Sequence, residues 1–242
     1  MALPNNLPGF VTAESGTIVL PASCDVDGRP SVVTLTSSPA EASSPARTSR
    51  LLLEVAARAT RATGCAPPPR TRTAPDRQAP HQDPAPCAIP GLPTLPGSTS
   101  TTAPDFRTCA IPGARDSADT PGAAAEATRT AAAPRTPAET TRTASKAETW
   151  AARFTATARP RVVALFDGLT GDRPPAPGWR ARGSIDADGA LVRADCARGP
   201  AVFVMRAGPG RTGTRLDDPR AAFPAFVAAA APEAGCAPLR SA

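Results

Sequence analysis

The chain has no tyrosine, one lysine and one histidine, and its aromatic residues are seven Phe and two Trp. Each shortage excludes something. With so few rings in 242 residues, the cores must be built from Val, Leu, Ile and Ala. Such cores are small, and small cores often need covalent support. The sole histidine, His81, stands in Pro-rich sequence. One His cannot build a His-based metal site, and no Cys-x-x-Cys pair is present to replace it. A Ser-His-Asp or Cys-His centre would recruit His81 from a tract unable to hold nucleophile and base in geometry. A Ser-Lys dyad could use only Lys146, at the edge of the same tract. No catalytic residue, metal ligand or cofactor is expected. No run approaches the ~20 apolar residues of a membrane-spanning helix; the longest candidate, 221–231, is mostly Ala and contains Pro224. MALPNNLPGF has neither the basic nor the apolar segment of an export signal.

Proline and arginine are what the chain has in excess. The 31 prolines crowd its middle, and arginine supplies almost all the basic charge behind a net +6. Arginine binds phosphate well, so nucleic acid has to be weighed. The arginines are scattered among Thr, Ala and Pro, however. Their densest run, 47–77, has no Phe, Tyr or Trp on which a base could stack. Nucleic acid is disfavoured as a partner.

Six cysteines remain, and they organise the chain. Gly-Cys-Ala-Pro is written at 64–67 and again at 235–238. An Ala-rich apolar stretch precedes each site, 51–57 and 223–229, with helical spacing. Thr48 or Ser49 is the expected N-cap of the first helix and Asp218, before Pro219, that of the second. Gly64 and Gly235 stand where a helix C′ residue is expected. Further back, 16–24 and 189–196 each read as a strand ending in Cys24 or Cys196. A Gly-containing turn and a β-branched strand follow in both, the signature of a hairpin. Hairpin, loop, helix and Gly-Cys thus recur about 170 residues apart, which points to a duplication.

The second copy extends upstream through an alternating segment at 154–158 and a short helix opened by Pro160. Its order is β-α-β-β-β-α. The expected fold is α+β, with two related small modules of antiparallel hairpin or sheet plus a packed helix. The first, 1–65, reads as truncated, and the second spans 149–242. A Pro/Thr/Ala/Arg-rich linker at 66–148 reads as disordered, because it lacks apolar periodicity.

Helix ends that reverse at Gly bring Cys65 back to Cys24 and Cys236 back to Cys196, so two disulfides are expected. Cys87 and Cys109 each open an identical Cys-Ala-Ile-Pro-Gly. They either pair with each other or stay free. The competing reading is six reduced thiols buried as small hydrophobes in a cytosolic protein.

Cys-x-Leu/Ile-Pro-Gly, a strand Cys and a helix ending Gly-Cys resemble the motifs of uncharacterised exported or membrane-associated proteins of high-GC actinobacteria. Cys87–Gly91, Cys109, Cys196, Gly235-Cys236, Cys24 and Gly64-Cys65 carry the resemblance. It implies no activity. It implies an extracytoplasmic place, secreted or at the cell surface, if an export signal precedes this chain; otherwise the chain is cytoplasmic.

Two motifs imitate chemistry. Gly208-Pro-Gly210-Arg-Thr-Gly213 matches a dinucleotide fingerprint, but no second parallel strand follows, and Thr214 stands where a phosphate loop needs Lys. Ser184, Asp186, Asp188, Gly189 and Asp195 imitate a calcium loop, but strands flank them and a hairpin turn accounts for them. Asp167, Asp172 and Asp217-Asp218 read as caps and turn residues. The expectation is a non-catalytic, disulfide-stapled exported or cell-surface module with a protein or cell-envelope ligand. The alternatives are a hydrolase-like enzyme or a basic intracellular protein that contacts nucleic acid.

Overall fold

A computed structural model of the chain describes residues 3, 7–11, 15–36, 44–67, 87, 89, 99–103, 105–112, 150–208 and 219–240. It is a mixed α+β structure with two antiparallel sheets and few helices.

The small sheet runs β1 (Gly9–Val11), β2 (Ser15–Val19), β3 (Val32–Thr36), in that order. The sequence reading had only the hairpin β2–β3. It also ran the first strand through to Cys24. The strand stops at Val19 instead, because Pro21 has no N–H for the ladder. The chain then turns through a single 3-10 turn, Ala22–Cys24. A tight Asp27-Gly28 turn follows, both residues at positive φ, with Val26 bridged to Arg29. This is the Asp-Gly chemistry of a two-residue hairpin.

Helix α1 (Pro45–Thr63) packs Leu52, Leu53 and Ala56 into a core with Val11, Ile18 and Leu20. Its N-cap is Ser44, whose side chain accepts from the Arg47 N–H, rather than Thr48 or Ser49. Ser44-Pro45 supplies both an acceptor and a preset φ one turn earlier. Thr48 and Ser49 lie buried inside the helix.

The large sheet has the order β4-β5-β6-β9-β8-β7. Its strands are β4 (Thr99–Ala103), β5 (Phe106–Pro112), β6 (Trp150–Thr157), β7 (Arg182–Ile185), β8 (Gly189–Cys196) and β9 (Gly199–Ala207). Between β6 and β7 lies α2 (Pro160–Val163), which tightens into a 3-10 turn, Ala164–Phe166. Helix α3 (Pro219–Ala230) follows β9. From β6 onward the order is the anticipated β-α-β-β-β-α. The difference lies upstream: β4 and β5 come from the stretch read as linker, 66–148.

Cross-strand partners share a face, which fixes the core. Cys109 pairs with Phe154, Phe154 with Met205, and Met205 with Ala190. All four are buried, and the core they join includes Phe223, Phe226 and Val227 of α3. Trp179 lies against Phe223, ring centroids 6.4 Å apart. The expected cap Asp218 lies outside the described residues. Gly235 is not the C′ residue of α3: the helix ends at Ala230, and Gly235 closes a further turn after Pro232.

Candidate functional site

All six cysteines are paired. Cys24–Cys65 ties the turn after β2 to the residue beyond Gly64, with 4.9 Å between Cα atoms. Cys196–Cys236 ties the end of β8 to the residue beyond Gly235, at 4.4 Å. Gly64 and Gly235 both have positive φ, 64° and 75°, so the chain reverses toward the sheet at each. Cys87–Cys109 is also bonded, at 5.3 Å. The two copies of Cys-Ala-Ile-Pro-Gly therefore meet: Cys87, Ile89, Cys109 and Ile111 all belong to the large core.

Three arginines that the sequence reading passed over as scattered hold these parts together. Arg107, buried on β5, donates to the Cys87 carbonyl at 2.7 Å and to Glu233 Oε1 at 2.8 Å. It links the third disulfide to the turn after α3. Arg161 forms a two-pronged pair with Asp25, both contacts at 2.7 Å, and also donates to the Leu20 carbonyl. Buried Arg159 donates to the Leu7 carbonyl at 3.1 Å and lies 5.6 Å from the centre of the Phe106 ring. Phe106 in turn stacks on Phe10 at 6.0 Å. Arg159 and Arg161 flank the start of α2, so these contacts dock the small sheet on the large one. The Arg161 hydrogen bonds hold the Asp25 carboxyl below its usual range, and those same bonds raise Arg161. Burial lowers Arg159.

The face of the large sheet away from α3 is mixed: Phe106 and Val202 are buried on it, where α2 meets β9, and arginines lie around them. Cross-strand pairs put Arg153 opposite Arg206 and Arg182 opposite Arg193 on this face. At the second pair, Gly168, Thr170, Gly171, Asp172, Arg182 and Arg193 line a half-open cleft of about 300 Å³. Arg182 pairs with Asp195 at 3.0 Å and lies 3.9 Å from Asp172; Arg193 pairs with Asp167. The three aspartates are exposed partners of arginines rather than a general acid/base couple.

The calcium-like residues do not converge. Asp186 donates its N–H to the Gly189 carbonyl at 2.7 Å in the β7–β8 turn, while Asp195 sits at the far end of β8 with Arg182. Among the described residues no cluster of His, Cys, Asp and Glu could hold a metal ion. His81, Lys146, Asp217-Asp218 and the Gly-rich 209–213 lie outside the described residues. Among the described residues, no helix is long and apolar enough to cross a membrane.

The arginines had one legible signal. Arg153 and Arg193 each sit between two buried apolar residues, and Arg206 between buried Met205 and partly buried Ala207, so alternation assigns them to the outer face. No family model, no curated protein and no solved structure matches the chain.

Proposed function

We propose that the chain is a non-catalytic, disulfide-stapled module of an exported or cell-surface protein, acting by binding or as structure. One observation carries this: every cysteine is in a disulfide, and each bridge joins a strand, or the turn that follows one, to a segment distant in sequence. Bridges of this kind persist in oxidising compartments and are reduced in the cytosol. By the chain-entropy estimate, closing loops of 41 and 40 residues contributes ~3–4 kcal/mol each. That is comparable to the whole net stability of a small unit.

On this reading the two Gly-Cys closures descend from one duplicated unit, and the residues between form a spacer that delivers Cys87 and the β4–β5 hairpin to the second. The chain then belongs with the actinobacterial exported or membrane-associated proteins whose motifs it resembles, and its ligand is a protein or a component of the cell envelope. Peptide mapping without reductant on natively produced protein tests the proposal. Cys24–Cys65, Cys87–Cys109 and Cys196–Cys236 are the expected bridges. Six alkylatable thiols, or a cross-pair such as Cys24–Cys196, would overturn it.

A further inference from the structure

We infer that the face of the large sheet opposite α3 docks a linear phosphate polymer along a diagonal of arginines, Arg153, Arg206, Arg193 and Arg182. The inference rests on the reading of the chain as a binding module and names its ligand class.

The register places these side chains. Arg153 on β6 is directly opposite Arg206 on β9. Arg206 is four residues along β9 from Val202, which is opposite Arg193 on β8, and Arg193 is opposite Arg182 on β7. Residues an even number apart share a face, so all four point away from the Phe203 and Met205 side that meets α3. Four residues span about 13 Å along a strand, and three strand spacings about 14 Å across. The arginines therefore trace a diagonal about 19 Å long by that geometry. Between its ends lie Thr155, Val204 and Leu191, all partly exposed, while Val202 beside Arg193 is buried where α2 meets β9.

Two features single this face out. Like charges directly opposite on antiparallel strands destabilise a sheet, yet this face holds two such pairs. Aspartates offset the Arg182–Arg193 pair, but no described carboxylate pairs with Arg206, and the next cross-strand row, Thr108, Thr155, Val204 and Leu191, carries no charge. The charge is also uneven along the diagonal. Asp167, Asp172 and Asp195 pair with the Arg182–Arg193 end. At the other end Arg206 is exposed and forms no ion pair with a described residue.

Two guanidinium groups side by side, about 5 Å apart at the backbone, suit a tetrahedral group with two free oxygens. A phosphodiester or phosphoanhydride offers one oxygen to each fork. A nucleic acid would add bases that need exposed rings. Among the described strand residues of this face the ring is that of Phe106, buried beneath Phe10 and Arg159.

The test uses full-length, oxidised protein and immobilised linear inorganic polyphosphate, with binding measured from 50 to 200 mM salt. Arg206→Glu should weaken binding about tenfold at the low-salt end and flatten the log–log salt slope by about one unit or more. Arg58→Glu, on an exposed position of α1, makes the same change in net charge and should shift binding less than about twofold. Equal losses in the two variants would mean a non-specific charge effect and overturn the inference. So would no retention at 50 mM salt, or duplex DNA or polyglutamate binding as tightly as polyphosphate. Thermal melts of both variants establish that each is folded. A chain with its three bridges intact that ignores polyphosphate sinks this inference alone; six free thiols sink the export reading alone.

Discussion

The two disulfide-closed halves use nearly the same crosslink on very different cores. In the small sheet, Cys24–Cys65 closes 41 residues around a core of Leu3, Val11, Ile18, Leu20, Leu52, Leu53 and Ala56. No aromatic side chain is in it. In the large sheet, Cys196–Cys236 closes 40 residues around Phe154, Phe203, Phe223, Phe226 and Trp179. The helices differ accordingly. α1 exposes Leu51 and Val55 on its outer side and carries an Arg50–Glu54 pair, so only one stripe is buried. From Ala221 on, α3 is Ala, Phe and Val around Pro224, with Phe223 and Phe226 fully buried. Loop entropy depends on loop length and not on what the loop encloses. The same bridge is thus a small fraction of the stability of one half and a large fraction of the other.

The largest expected effect breaks this comparison directly. Cys24→Ser with Cys65→Ser should remove ~3–4 kcal/mol, enough to unfold the small sheet while the large sheet stays folded. Cys196→Ser with Cys236→Ser should remove a similar amount, yet leave a folded large sheet with a lowered Tm, because its aromatic core remains. Scanning calorimetry of the two double variants checks this. Equal loss of structure in both would show that the cores are not unequal in strength.

A smaller effect concerns the seam between the halves. Asp25 is held below its ordinary range by Arg161, so its contribution is fully present above the ordinary carboxylate pKa, about 4. It is lost as pH falls through the depressed value. Docking of the small sheet should therefore weaken only in strong acid. Asp25→Asn should remove that acid-dependent step and leave the halves melting apart already at neutral pH. Calorimetry from pH 6 down to 2 shows it as a gap opening between two transitions in the wild type below about pH 4, and as a gap independent of pH in the variant. A wild-type gap that opens at pH 5 or above would assign the step to another group.

The same contrast explains what could be read in the sequence. The order from β6 to α3 was legible because β8 alternates, β9 is a continuous apolar, β-branched run and the β7–β8 turn carries Asp-Gly. β4 was hidden because Thr99-Ser-Thr-Thr-Ala has no apolar alternation; its pairing with β5 orders it, not its own pattern. β5 carries the alternation Arg107, Cys109, Ile111 on its core side, but a charged residue at an inward position disguises it. Only the tertiary partners Cys87 and Glu233 make Arg107 tolerable there. β1 is three residues long, below what any period can reveal. The seam was illegible for a further reason: Arg159 and Arg161 look like linker arginines until Leu7, Leu20 and Asp25 are brought to them.

The smallest effect separates the two glycines that precede the closing cysteines. Gly64 has φ 64°, and a Cβ built on it would meet nothing within 4 Å. Gly64→Ala should then cost only the left-handed backbone strain, ~1 kcal/mol. Gly235 has φ 75°, and its Cβ would come within 2.5 Å of Arg198 Nε and 3.1 Å of Arg198 Cγ. Arg198 would have to swing away, giving up its hydrogen bond to the Glu233 carbonyl. That adds about 1 kcal/mol for a lost charged hydrogen bond, so Gly235→Ala should be the costlier change. Arg198→Ala removes the obstacle and the bond together. In that background Gly235→Ala should fall to the cost of Gly64→Ala, and the non-additivity measured by chemical denaturation gives the size of the contact. If the cost of Gly235→Ala is the same with and without Arg198, the turn after α3 is set by backbone strain alone, and the two closures are alike in this respect.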